Sequence, residues 1–300
     1  MKKAIVSGST GLVGSSVVRS LIDKKISVLC LGRKKISDED LIKKFGQHVQ
    51  YLVIDMDDIE SLPEKIKTLD FEIGQECVFF NFAWGGNNSL TDGGFDKQFK
   101  NSINSSKAVK IAGVLGCSKF VNCGTIQESI AELSINNNSK FNNSQIDYAI
   151  SKIATRDMCL MIAYLEKIDY VHTRLSVPLD PKVENSGYIS NVISNIMNGK
   201  EYSKPKNDEL FDITHIDDVS NAYYLIGLNG QNKSDYYIGA SSPMTLNEYF
   251  KITEKFYNGE KIELNSDIHT QNIFNNQSLI NETKFSLKYD FINILKKIKN

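Results

Sequence analysis

The sequence has almost no net charge of either sign. Its 35 Lys and Arg residues meet 36 Asp and Glu, leaving −1 at pH 7 over 300 residues. A chain that grips a nucleic-acid backbone carries a basic field, so no nucleic-acid partner is expected. There is no run of about 18 apolar residues, so no membrane span is expected either. The start, Met1-Lys2-Lys3, leads into a short strand-like run and not into the apolar stretch of a secretory leader. The expected location is therefore cytoplasmic. Cysteine is scarce and odd in number: Cys30, Cys77, Cys117, Cys123 and Cys159 include no Cys-x-x-Cys pair. They read as small core residues in a reducing compartment. The 4 histidines are scattered without ligand spacing, so no metal site is expected. Arginine is confined to Arg19, Arg33, Arg156 and Arg174. Each is weighed separately, because a planar guanidinium binds anions differently from an ammonium.

What is present is an ordinary soluble composition, 41% hydrophobic and 24% charged. Apolar runs at Ala4–Val6, Ile26–Leu31, Val49–Ile54, Cys77–Ala83, Phe120–Cys123 and Tyr170–Leu175 alternate with amphipathic stretches. The latter lie at Leu12–Ile22, Asp38–Phe45, Ser61–Leu69, Phe95–Leu115 and Ile146–Lys167. Such alternation predicts βαβ units, and nearly all-apolar strands predict a parallel sheet covered on both faces. The expected fold is α/β, a Rossmann-type doubly wound parallel sheet with a smaller C-terminal substrate-binding lobe. Residues 1–176 are assigned to the dinucleotide-binding part, with a segment near 210–240 threading back into it, and 177–300 mainly to the lobe. In that half, helices are expected at Gly187–Gly199, from near His215, at Thr245–Tyr257 and at Asn281–Lys297. Short strands are expected at Asp212–Thr214 and Tyr236–Ile238, and an Asn/Ser-rich surface loop at 136–143.

Gly8-Ser9-Thr10-Gly11-Leu12-Val13-Gly14 follows the first strand and opens the first helix. Glycines let the backbone approach a pyrophosphate, and the helix N-terminus presents free N–H groups to it. Gly8, Thr10, Gly11, Leu12, Val13 and Gly14 are thus cofactor-binding candidates. The second strand ends in Gly32-Arg33-Lys34-Lys35, with no carboxylate for a ribose 2′-hydroxyl. That favours NADP(H) through Arg33 and Lys34, with NAD(H) possible; the alternative is a solvated basic turn. Asp55 and Met56, after the third strand, are placed to meet the adenine.

Tyr148-Ala149-Ile150-Ser151-Lys152 puts a phenol and an ammonium on one helix face. Tyr202/Lys206 and Tyr257/Lys261 share the spacing, so context decides. Tyr148 opens a long helix and follows the strand Phe120–Cys123, which runs on through Gly124 to Thr125. With Gly8/Gly11/Gly14, Phe79–Ala83, Asn101, Thr125, Tyr148, Lys152, Arg174–Pro178, Phe211–Val219 and Tyr237–Gly239, the chain resembles the extended short-chain dehydrogenase/reductase family over most of its length. The resemblance implies Tyr148 as general acid and Lys152 as the group that lowers its pKa and bonds the nicotinamide ribose. It implies Thr125 as hydrogen-bond donor to the substrate oxygen. Asn101 would anchor backbone or a water near Lys152, and Phe82, Ala83 and Trp84 would line the cofactor. It further implies a nucleotide-sugar substrate and a homodimer through the two long helices.

Within such a family, dehydratases carry Asp-Glu directly after the Thr, whereas this chain reads Thr125-Ile126-Gln127-Glu128. Dehydration is disfavoured. The NADP-like turn suits net reduction, and the short chain resembles reductases of 4-keto-6-deoxy nucleotide sugars used in surface-polysaccharide synthesis. Trp84, Gln127, Arg174, Ser176 and Pro178 are substrate-binding candidates. Trp84 could equally be core, and Arg174 could equally brace the sheet edge. Phe211 stands where many relatives have a diphosphate-binding Arg, so Lys204 or Lys206 is considered instead. The alternatives are an NAD-dependent C4 epimerase and a catalytically idle binding subunit.

Overall fold

In the computed structural model, residues 1–47, 49–86, 92–137, 145–182, 187–205, 209–262 and 272–299 are described. The first six strands are β1 (Lys3–Ser7), β2 (Ser27–Gly32), β3 (Gln50–Val53), β4 (Cys77–Asn81), β5 (Lys119–Thr125) and β6 (Asp169–Leu175). The later ones are β7 (Val177–Leu179), β8 (Leu210–Phe211), β9 (Ile213–His215), β10 (Asp235–Ile238) and β11 (Met244–Thr245). A seven-stranded sheet runs β10-β6-β5-β4-β1-β2-β3, every pairing in it parallel. The order reverses between β1 and β4, the crevice where a doubly wound sheet takes its ligand.

The helices are α1 (Leu12–Asp23), α2 (Asp38–Phe45), α3 (Leu62–Ile66), α4 (Gly94–Val114), α5 (Ile126–Asn136) and α6 (Ile146–Glu166). After them come α7 (Tyr188–Met197), α8 (Ile216–Asn229), α9 (Leu246–Tyr257), α10 (Gln277–Thr283) and α11 (Phe291–Lys299). Successive residues of a strand point to opposite faces. Ala4 and Val6 therefore join the core under α1 and α8, while Ile5 joins the core under α4 and α6. Both faces are covered, which is why the strands read as continuous apolar runs. A separate cluster, including Ile193, Phe250 and Ile294, forms the core of the C-terminal half.

One helix went unread and one expectation is corrected. Helix α5 begins directly at the end of β5, with Thr125 as its N-cap. The helix expected over Asn281–Lys297 is two, α10 and α11. Lys284 ends α10 in a left-handed conformation, and the buried Asp218 carboxylate takes the N–H groups of Lys288 and Tyr289. An N–H bound to that carboxylate cannot extend a helix. The loop expected at 136–143 lies, beyond Asn137, outside the described residues.

Candidate active site

At Gly8 and Gly14 the glycine loop leaves no room for a side chain. Gly8 has φ +65°, and a Cβ there would lie 2.8 Å from the backbone of Phe82 and Ala83. A Cβ on Gly14 would lie 2.2 Å from the Gly8 carbonyl oxygen. Gly11 is the N-cap of α1, no side chain caps it, and no acidic residue stands in the first turn. The first-turn amides, which include those of Leu12 and Val13, are left for an external anion. The loop borders a cleft of about 460 Å³ walled by Thr10, Gly11, Arg33, Asp55, Met56 and Trp84. Phe82, Ala83 and Asn101 also line it. This cradle fits a dinucleotide, with the pyrophosphate over α1.

Arg33 is exposed at the cleft edge, and Lys34 is exposed beside it, its carbonyl accepting the Tyr51 hydroxyl at 2.8 Å. The Asp55 carboxylate caps the next turn, accepting the Asp57 N–H at 3.1 Å. Asp57, which the sequence did not single out, also lines the cleft. It bonds Lys100 and Asn104, and the Lys100 contact first among these holds its carboxyl below the ordinary value. Only packing of α4 on the turn after β3 brings these residues together.

At the C-terminal end of β5 the structure gathers Thr125, Tyr148, Lys152 and Trp84. Tyr148 stands in the first turn of α6, and Lys152 follows one turn on. Tyr148 is 8% exposed and Lys152 4%. The Lys152 Nζ donates to the Cys123 carbonyl at 2.8 Å and lies 3.7 Å from the Trp84 ring centroid. Trp84 meets Tyr148 edge to face, centroids 5.8 Å apart, while its Nε1 donates to buried Gln98 at 2.7 Å. Asn101 clamps the Gly85 backbone with two bonds of 2.9 Å, the backbone-anchoring role among those considered. Burial chiefly pushes the Tyr148 phenol above its ordinary value; the Cys123 thiol adds to this and the Thr125 hydroxyl opposes it. Burial also pulls the Lys152 ammonium below its ordinary value. Lys152 was expected to lower the phenol pKa; here burial outweighs any such pull, so Tyr148 keeps its proton at neutral pH.

Other candidates are placed elsewhere. Arg174 pairs with Glu132 at 2.6 Å and Asp235 at 2.9 Å and donates to Ser129 Oγ at 2.7 Å. It braces α5 to the sheet edge and is not free to hold substrate. The Ser176 hydroxyl is buried against Thr214 Oγ1 at 2.9 Å, so it too is spent within the fold. Pro178 sits in β7, paired with β9. Gln127 lies in the first turn of α5, its N–H reaching Thr125 Oγ1 at 3.4 Å. Phe211 packs against the core of the C-terminal half. Lys204 is exposed, and Lys206 lies outside the described residues. Glu128 was missed as a structural partner: it is fully buried and reciprocally caps α5 with Thr125. The Thr-x-x-Glu spacing before an apolar run is the signal that marks it.

A model of the NAD dependent epimerase/dehydratase family matches residues 4–239. The chain belongs to this family. A comparison with curated proteins returned no match. Among solved structures, a Bacillus cereus UDP-N-acetylglucosamine 4-epimerase superposes with a TM-score of 0.75 at 16% identity, over 100% of this chain and 96% of that one. UDP-glucose 4-epimerase from Thermotoga maritima, with UDP-glucose, gives 0.72 at 17% identity over 99% and 97%. The Thermus thermophilus UDP-glucose 4-epimerase complex with NAD gives 0.73 at 14% identity over 99% and 97%. At such identities the likeness establishes the shared fold. The Gly8–Gly14 cradle, with the first-turn amides of α1 uncapped by any side chain, has the chemistry to take an anionic group such as a pyrophosphate. Among the described residues, no cluster of His, Cys, Asp and Glu could hold a metal ion. Among them, no helix is long and apolar enough to cross a membrane.

Proposed function

We propose that the protein reduces a keto group on a nucleotide-linked 4-keto-6-deoxy sugar with NADPH. The observation that carries this reading is Arg33 at the edge of the cofactor cleft, on a β2 exit without a carboxylate. An arginine there suits a 2′-phosphate, and exchangeable NADPH suits net reduction. When bound, NADPH supplies the hydride that goes to the carbonyl carbon. Tyr148, held protonated by burial, donates its proton to the carbonyl oxygen, so the product is an alcohol. Lys152 stabilises the phenolate left behind, and its bond to the Cys123 carbonyl fixes its stem. The Thr125 hydroxyl donates to the oxygen as negative charge develops. Trp84, beside Lys152 and Tyr148, and Gln127, two residues after Thr125, are the side chains proposed to meet the sugar.

Dehydration lacks its proton donor, because Ile126 and Gln127 stand directly after Thr125, where dehydratases carry Asp-Glu. A second reading is an NAD-dependent C4 epimerase, using the same Tyr148 as base and then acid. The 4-epimerases among the structural neighbours favour it.

The test is NADPH oxidation in the presence of 4-keto-6-deoxy nucleotide sugars. Turnover is expected, and Tyr148→Phe should lower kcat by roughly 10²–10⁴-fold, the usual contribution of a positioned acid. A wild-type protein inert toward all of them contradicts the reading. Full biological function in Tyr148→Phe would instead mark an idle, binding member of the family.

A further inference from the structure

Behind the acid/base centre runs a line of buried polar groups that the proposed chemistry leaves unused. Ser7 (β1), Asn81 (β4), Asn122 (β5), His172 (β6) and Glu128 (α5) are each no more than 3% exposed. The Ala83 N–H donates to Ser7 Oγ at 3.4 Å, and the Ser7 hydroxyl to Asn81 Oδ1 at 2.6 Å. Asn81 Nδ2 donates to Asn122 Oδ1 at 3.0 Å, and Asn122 Nδ2 faces His172 Nδ1 at 3.3 Å. The Tyr170 hydroxyl faces the same ring nitrogen at 3.2 Å. His172 Nε2 meets Glu128 Oε2 at 2.9 Å, and Glu128 Oε1 accepts the Thr125 N–H at 2.8 Å.

The donors in this line point one way. Asn122 has its carbonyl oxygen engaged by Asn81, so its amide nitrogen donates to His172 Nδ1. His172 then carries its proton on Nε2. Glu128 ends the line with each carboxyl oxygen facing one N–H, the Thr125 amide on Oε1 and His172 Nε2 on Oε2. A buried carboxylate so engaged has little freedom to move, and freeing either oxygen would leave a buried group unpaired.

We infer that Glu128 is a positioning residue for Thr125, and that His172 holds Glu128 in place. The line thereby ties the strand end carrying Ala83 and Trp84 to the residue that faces the substrate oxygen. The inference rests on the reading of Thr125 given above. Thr125 is both the last residue of β5 and the N-cap of α5, so fixing its amide fixes where its hydroxyl can turn. Glu132, one turn further along α5, pairs with Arg174 and Arg156. It serves as a control on the same helix.

The test compares Glu128→Gln, His172→Gln and His172→Leu with Glu132→Gln, reading the Thr125 amide in ¹H–¹⁵N spectra. A charged acceptor places that amide proton downfield. It should move upfield in Glu128→Gln and His172→Leu and less in His172→Gln, whose amide still donates to Glu128. Glu132→Gln should leave it in place. In NADPH-linked turnover, Glu128→Gln should lower kcat ~10-fold with the cofactor KM within ~2-fold. If Glu128→Gln fails to fold, the two His172 variants decide on the same amide. A Thr125 amide that shifts in these variants, when the wild type reduces no keto sugar, sustains the positioning and sinks the reductase reading. An unmoved amide, or a kcat loss no larger than that of Glu132→Gln, overturns the inference.

Discussion

Asp212 is a buried carboxyl whose ionisation is coupled to folding. It accepts the Tyr237 hydroxyl at 2.5 Å and the Ser241 and Ser242 N–H groups at 2.8 and 3.3 Å. Burial still wins over these bonds and pushes its pKa up to about 6. A carboxyl raised in the folded state stabilises the fold below its unfolded pKa, and that contribution is lost as pH rises through the folded value. The stability of the wild type relative to Asp212→Asn should therefore fall by roughly 2 kcal/mol between pH 4 and pH 7. Urea denaturation of both proteins across that range reads it, and a difference that is flat or rises with pH would refute the assignment. At this scale the sequence was partly legible. Tyr148 and Lys152 are picked out by spacing together with the strand before them, and Thr125 by the family resemblance. Arg174 does not, because its partners Glu132 and Asp235 lie on α5 and at the start of β10, far from it in sequence. Trp84 was open between stacking and core; the Lys152 ammonium over its ring and Tyr148 at its edge place it against the Tyr148–Lys152 pair.

Among the elements, the turn from β1 into α1 is tightly constrained. Gly14→Ala would drive a methyl group into the Gly8 carbonyl, and backbone there cannot yield without moving the loop. NADPH titration should show at least ~10-fold weaker binding for Gly14→Ala. A Cβ on Gly74 meets nothing within 4 Å, so Gly74→Ala should bind as the wild type does. Equal affinities for the two variants would mean that the loop does not cradle the cofactor. Most elements could be read because the sheet is covered on both faces, which turns each strand into an unbroken apolar run. Helix α5 was hidden because it starts at the last residue of β5, with no loop between them. The break between α10 and α11 was hidden because its cause, Asp218, lies 70 residues from Lys288. No local pattern carries a partner at that distance.

For the whole molecule, β10 returns to pair with β6 and closes the sheet edge, so a later segment completes the first half's architecture. The packed pair α4 and α6 leaves Ile103 on one helix and Ile150, Met161 and Leu165 on the other exposed, Leu165 by 71%. An apolar stripe of this kind supports a homodimer through these helices. Sedimentation should give twice the 33.7 kDa chain mass, and Met161→Glu with Leu165→Glu should give the single mass. A monomeric wild type would contradict that assembly.

The central claim concerns which cofactor the cleft takes and whether it exchanges. The most direct measurement is to extract the purified protein under denaturing conditions for bound nucleotide, then titrate it with NADPH and NADH. The account predicts a protein without retained nucleotide that binds NADPH reversibly and in preference to NADH, with the preference lost in Arg33→Ser. Tightly held NAD, or an NADPH preference that survives Arg33→Ser, would contradict it, and retained NAD would put the epimerase reading first.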